Sequence, residues 1–135
     1  MSRRILNPGR LAAAQSLIGV NHGGHAEQLL AKVSPTNAPD RRLAWHICLG
    51  VLRNRGVIDG ALQPLINRSL QELDQEVLCA LRIGCFEQYF SRTKPHAVVD
   101  QAVEIVKALE CGKAKGFVNA VLRRLPVEQV EHARL

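Results

Sequence analysis

The sequence is poor in the residues that build β-sheets. Only five of its 135 residues are aromatic: one Trp, one Tyr and three Phe. No segment alternates between apolar and polar residues for long enough to indicate a strand. Apolar residues still make up 47% of the chain, which is enough for one core. Leu and Ala, together with Glu, Gln, Lys and Arg, are good helix formers, so the composition favours an all-α fold.

The sequence also lacks the motifs of common catalytic, cofactor and metal sites. No cysteine pair has C-x-x-C spacing, and no histidine stands at zinc-ligand spacing beside a cysteine. The segment NHGGH at 21–25 has neither the lysine nor the preceding strand of a phosphate-binding loop. The two histidines of this segment are more typical of a turn than of a metal site. Asp100 and Glu104, four residues apart, are more typical of a solvated helix face than of an acid–base catalytic pair. We therefore predict no metal, no cofactor and no catalytic residue.

Long apolar runs are missing as well. None of the apolar segments is long enough to cross a bilayer, and MSRRILNPGR at the start lacks the apolar core of a secretory signal. Three of the four cysteines lie in apolar helical runs, which is typical of buried thiols in a reducing compartment. The sequence therefore predicts a cytoplasmic protein without membrane association.

Charge is distributed unevenly. The chain has a formal net charge of +6, and residues 1–55 contain eight Lys or Arg against only Glu27 and Asp40. Residues 56–135 contain ten side chains of each sign, so the excess lies entirely in the first 55 residues. A localised basic excess favours a polyanionic partner, and nucleic acid is the first candidate. A solvated basic surface without a partner is the alternative interpretation.

Periodicity and capping signals predict about seven helices. The third is apolar around most of its circumference, so we expect it at the centre of the bundle. The fifth should start at the capping box formed by Ser69 and Glu72. The predicted segments are 8–20 after an Asn7 cap, 26–33, 41–54 after an Asp40 cap, short turns after Gly56, 69–90, 95–110 and 115–125.

Arginines are the main candidates for function, because phosphates are bound by dispersed guanidinium groups at a surface. They fall into an N-terminal arm, a strip with His46 on the third helix, and a pair on the last helix. The strip could instead pair with Asp59 or Glu72, and the last pair could be salt-bridged surface. Trp45 and the three Phe are expected to be buried, so base stacking is not expected to dominate. The candidate RNA-binding residues are Arg3, Arg4, Arg10, Arg42, Arg53, Arg123 and Arg124.

Four segments resemble the NusB/RsmB family of RNA-binding domains. They are DRRLAWHICLGVLRNRGVID, LDQEVLCALRIGCFEQYF, PHAVVDQAVEIVKAL and GFVNAVLRRL, and the resemblance extends over residues 7–125. It implies an all-α fold of two packed helical subdomains. It also implies one of two settings. One is a free transcription antitermination factor that binds single-stranded RNA together with the ribosomal protein NusE. The other is the N-terminal domain of a ribosomal RNA cytosine methyltransferase.

Two details of the resemblance favour the methyltransferase setting. The run GVLRNRGVID is similar to a sequence typical of the methyltransferases in this family. Arg123 stands where free antitermination factors often have Asp. Asp100 and Gln101 stand where those factors tend to have Asn and Glu. Nothing resembles an S-adenosylmethionine loop or a Pro-Cys catalytic pair, so this chain alone should not methylate RNA.

We therefore predict a helical RNA-binding domain over residues 1–125 and a tail or linker over 126–135, which we expect to precede a methyltransferase domain. The leading hypothesis is a ribosomal RNA recognition module. The alternatives are a free antitermination factor that binds NusE and a protein-docking module without an RNA role.

Overall fold

The computed structural model describes residues 5–126 as seven α-helices joined by short connections, with no strand in that range. None of these helices combines the length and the apolar character needed to cross a membrane. The prediction of an all-α bundle of about seven helices is confirmed, and the predicted tail lies outside the described residues. The helices are α1 (Pro8–Asn21), α2 (Ala26–Val33), α3 (Ala38–Arg53), α4 (Arg55–Leu62), α5 (Gln75–Phe90), α6 (Pro95–Ala108) and α7 (Lys115–Arg123).

The predicted cap of α1 is confirmed, whereas that of α3 is wrong. Asn7 Oδ1 accepts hydrogen bonds from the backbone N–H groups of Gly9 and Arg10 at 2.7 and 3.1 Å. The cap of α3 is Asn37, whose side chain accepts from the Asp40 N–H at 2.8 Å. Asp40 lies in the first turn instead, where its carboxylate accepts from the side-chain amides of Asn7 and Asn37 and so ties the starts of α1 and α3 together.

α4 replaces the short turns predicted after Gly56. The chain forms a two-turn helix over Arg55–Leu62 although it contains Gly56 and Gly60, each of which costs about 1 kcal/mol relative to Ala in a helix. Ile58 and Leu62 are completely buried on its inner face. Packing of these two side chains against α5 outweighs the weak helix propensity of the segment.

The capping box at Ser69 and Glu72 exists, but it does not start α5. It opens a single 3₁₀ turn over Leu70–Glu72. Leu73 then adopts an extended backbone (φ −77°, ψ 149°) with a buried side chain, and α5 begins at Gln75. The box therefore positions the approach to α5, and the predicted helix start is about six residues too early.

α5 is the central helix of the bundle. All residues from 77 to 87 are buried, and α1, α3, α4, α6 and α7 pack on it. α1, α2 and α3 pack on one another as one subdomain, and α4, α6 and α7 gather around α5 as the other. The expectation that the third helix is central is wrong, because only Ala44, Ile47, Cys48 and Val51 of α3 are buried.

Two glycines bring α3 and α7 close to α5. A methyl group on Gly50 of α3 would lie 2.2 Å from the Phe86 ring, and one on Gly84 of α5 would lie 2.6 Å from Leu122 of α7. Positions 84 and 86 are about 200° apart around a helix. α3 and α7 therefore lie on nearly opposite sides of α5.

Candidate nucleic-acid interface

Arg10 of the predicted arm is bound inside the fold. Its Nε and Nη2 donate to the two carboxylate oxygens of Glu87 on α5 at 2.7 and 2.6 Å. The Arg10 side chain is 11% exposed and that of Glu87 is 3% exposed. Arg3 and Arg4 lie outside the described residues. The part of the arm that is described thus presents no unpaired guanidinium group.

A second arginine is bound in the same way. Arg82 of α5 donates from Nε and Nη2 to the two carboxylate oxygens of Asp59 on α4, both at 2.9 Å. Arg55 Nε lies 4.0 Å from the same carboxylate. Asp59 is therefore paired with these two arginines, and Glu72 serves the capping box. Neither acid pairs with Arg42 or Arg53, which was the alternative left open by the sequence.

The strip on α3 is exposed. Arg42, His46 and Arg53 all lie at the surface. Within residues 5–126, neither arginine has a hydrogen-bond or ion-pair partner. The His46 ring packs against Phe86, with ring centroids 5.3 Å apart and a tilt of 59°. The strip thus combines two exposed guanidinium groups with an imidazole that packs on the core residue Phe86.

Arg123 and Arg124 at the end of α7 are also exposed. Arg123 Nε donates to Asn119 Oδ1 one turn earlier, and Arg124 Nη1 donates to the Leu65 carbonyl at 3.3 Å. Neither arginine has a carboxylate partner among the described residues, so the salt-bridged alternative is not realised there.

The structure does not bring all the predicted residues together. Arg42 and Arg53 lie on α3, Arg123 and Arg124 lie on α7, and these two helices flank α5 on nearly opposite sides. Arg10 is bound inward between α1 and α5. The described candidates therefore form two separate basic surfaces and one buried ion pair.

An exposed aromatic side chain was missed from the sequence. Phe117 is 36% exposed and lines a groove of about 350 Å³ between α7 and the start of α5. Arg68 and Lys113 line the same groove, as do Glu72 and Asp74. The expectation that Trp45 and the three Phe are buried is wrong for Phe117, and Trp45 is only partly buried. The signal was available, because Phe117 is about 100° around the helix from Val118 and so lies at the edge of the apolar stripe.

The cysteines lack the properties of nucleophiles. Cys48, Cys79 and Cys85 are buried as predicted, and Cys111 is partly exposed. Burial raises the pKa of Cys48 to about 11 and that of Cys79 and Cys85 to about 12. These three thiols are protonated at neutral pH and are poor nucleophiles in that form. Within the described part of the chain, no three His, Cys, Asp or Glu side chains form a group able to hold a metal ion.

Comparison with known proteins places the fold among relatives of two kinds. The sequence model of the NusB family matches residues 7–126. The transcription antitermination protein NusB of Xanthomonas axonopodis pv. citri (strain 306) is 34% identical over 110 residues, covering 78% of this chain and 69% of that protein. The ribosomal RNA small subunit methyltransferase B of Thermus thermophilus is 39% identical over 130 residues, covering 93% of this chain. The chain spans only about a third (32%) of that methyltransferase.

A solved structure agrees with the helical architecture. NusB of T. maritima superposes with a TM-score of 0.80, covering 96% of this chain and 98% of that one. The sequence identity is 23%, so this likeness shows the fold alone.

Proposed function

The chain belongs to the NusB family, and from that premise we propose that it binds RNA, as the recognition module of a small-subunit ribosomal RNA cytosine methyltransferase. The observation that carries the proposal is the pair of exposed arginines on α3, Arg42 and Arg53, which lack a carboxylate partner within residues 5–126. Unpaired guanidinium groups at a surface can each displace counterions from a phosphate. Arg123 and Arg124 on α7 extend the proposal to a second surface, and Arg3 and Arg4 to the start of the chain.

Phe117 supports binding to single-stranded RNA in particular. Unpaired bases stack on exposed aromatic rings, and basic side chains nearby hold the backbone. Phe117 is exposed in a groove that also contains Arg68 and Lys113. The acidic side chains in the same groove, Glu72 and Asp74, would limit how closely a phosphate approaches it. We therefore assign Phe117 to a base, and Arg42 and Arg53 to the backbone.

Similarity to a methyltransferase over most of this chain supports the methyltransferase setting. The T. thermophilus methyltransferase is 39% identical over a match that covers 93% of this chain, and the NusB of X. axonopodis is 34% identical over a match that covers 78% of it. We place methyl transfer in the part of such proteins that this chain does not match. In this proposal the chain works in the cytoplasm, needs no cofactor of its own, and holds ribosomal RNA for a methyltransferase catalytic domain.

A free antitermination factor is the second candidate, and one observation favours it. The X. axonopodis relative is a transcription antitermination protein, and the chain covers 69% of its length. This candidate function predicts a complex with the ribosomal protein NusE. Isothermal titration calorimetry would detect that complex as a heat of binding that saturates. A purely protein-docking module is the third candidate, and it expects RNA binding no better than that of an unrelated basic protein.

The test of the proposal is RNA binding by the purified chain. A labelled small-subunit ribosomal RNA fragment and a scrambled sequence of the same length are titrated by fluorescence anisotropy across a salt series. We expect tighter binding to the ribosomal fragment and a steep fall of affinity with salt. Equal weak binding to both RNAs would contradict the proposal, and saturable NusE binding would then favour the antitermination candidate.

A further inference from the structure

A second groove borders α7 on the side away from Phe117. It lies between the end of α5, the start of α6 and the end of α7, and has a volume of about 420 Å³. This is within the usual range for pockets that bind small molecules. Val99, Leu122 and Leu125 are almost fully buried and line its apolar floor. His96 and Arg123 are exposed and line its rim.

The chemistry of this groove differs from that of the Phe117 groove. Among residues 5–126, no acidic side chain lines it, whereas Glu72 and Asp74 line the other. Its rim carries an imidazole and a guanidinium group, and both are flat and able to stack on a base. Asn119 accepts a hydrogen bond from Arg123 Nε and so restricts the orientation of the guanidinium plane. Gln88, the remaining polar side chain of the lining, donates from Nε2 to the Leu122 carbonyl at 3.3 Å, which leaves its amide oxygen available as an acceptor.

We propose that this groove binds one unstacked nucleobase of single-stranded RNA, with the base between the apolar floor and the Arg123 guanidinium plane. The inference rests on the proposed RNA-binding function and adds to it a base-binding pocket at α5, α6 and α7. A base needs an apolar surface, a flat stacking partner and a hydrogen-bonding group, and the groove supplies all three. A phosphate linked to that base meets a basic rim that carries no carboxylate from the described residues.

The pocket and the Phe117 groove flank the same helix. Phe117 and Arg123 are six residues apart on α7, which corresponds to roughly 9 Å along its axis and about 120° around it. A single strand that crosses α7 would place one base on Phe117 and another beside Arg123. The bound strand would then be held on both sides of one short helix.

The direct test is methyl NMR of the full chain titrated with nucleoside 5′-monophosphates and, separately, with inorganic phosphate. We expect the nucleotides to shift the methyl resonances of Val99, Leu122 and Leu125 through the ring current of the bound base. Inorganic phosphate should not shift these methyl resonances, because it has no aromatic ring that could occupy the groove. Equal methyl shifts with nucleotides and with phosphate, or no methyl shifts with nucleotides, would contradict the proposal that the groove binds a nucleobase.

Two arginine variants separate stacking from charge. Arg123→Ala should abolish the nucleotide-induced shifts, and Arg123→Lys should weaken them strongly, because an ammonium group keeps the charge but not the plane. Arg92→Ala removes an exposed arginine that does not line the groove, and should leave the shifts as in the parent chain. If Arg123→Lys shows the same nucleotide-induced methyl shifts as the parent chain, Arg123 does not act by stacking on the base.

A failure of the base-binding pocket can be distinguished from a failure of RNA binding as a whole. A chain that prefers the ribosomal RNA fragment but shows no methyl shifts with nucleotides contradicts only the pocket. A chain without that preference contradicts the proposed function itself. A groove whose methyls respond to a protein partner but not to nucleotides is a docking surface, and the nucleobase proposal is then wrong.

Discussion

Arginines around α5 and arginines on the outer helices carry the same charge but have different surroundings. Arg10 and Arg82 each donate two hydrogen bonds to one carboxylate, and both side chains are nearly buried. Arg42 and Arg53 are exposed and have no carboxylate partner among residues 5–126. Each inner pair links two different helices, whereas the outer pair of arginines is exposed at the surface.

The comparison shows what a charge count can and cannot identify. The basic excess of residues 1–55 includes Arg10, whose charge is neutralised within the fold. A buried ion pair contributes little net stability over an apolar pair, but removing one partner leaves the other charge uncompensated. Inner arginines should therefore affect folding when altered, and outer arginines should affect binding.

The largest effect is expected at the inner pair of Arg10 and Glu87. Glu87→Ala leaves the Arg10 guanidinium nearly buried without its carboxylate, and should lower the free energy of unfolding by about 3–5 kcal/mol. Urea denaturation followed by circular dichroism measures the loss. Glu104→Ala is the matched control, because Glu104 pairs with the exposed Lys107 and its removal should cost less than about 1 kcal/mol. Equal losses in the two variants would show that Arg10 is not held as described.

A smaller effect is expected where α3 contacts α5. Gly50→Ala places a methyl group against the Phe86 ring, and should destabilise the fold by about 1–3 kcal/mol despite the better helix propensity of Ala. Gly60→Ala, in α4, meets no atom within 4 Å and should stabilise the fold by about 0.4–1 kcal/mol. Thermal denaturation of both variants shows whether each substitution lowers or raises the stability of the fold. A stabilising Gly50→Ala would contradict the close approach of α3 to α5.

Local signals in the sequence were sufficient for the fold class and for several helix starts. Asn7 before Pro8 gave the start of α1, and Pro95 gave the start of α6. The starts of α3 and α5 were misplaced because each has more than one capping signal nearby. Asn37 competes with Asp40, and the box at Ser69 closes a 3₁₀ turn.

Long-range pairing limited what could be predicted about the site. Arg10 and Glu87 are 77 positions apart, and nothing near either residue marks the other as its partner. α4 was missed because its glycines hide a helix that is stabilised by burial of Ile58 and Leu62. Phe117 was predictable in principle, since helical geometry places it at the edge of the apolar stripe.

The division between inner and outer arginines is tested most directly by the salt dependence of RNA binding. The double variant Arg42→Ala/Arg53→Ala is compared with the parent chain and with Lys107→Ala, which removes a charge already paired with Glu104. For single-stranded RNA, two lost phosphate contacts should reduce the slope of log K against log salt by roughly 1.4. The free energy of unfolding should stay the same as that of the parent chain. The Lys107 control should keep the parent slope. A double variant with the parent's slope and affinity would contradict the assignment of the α3 surface to RNA.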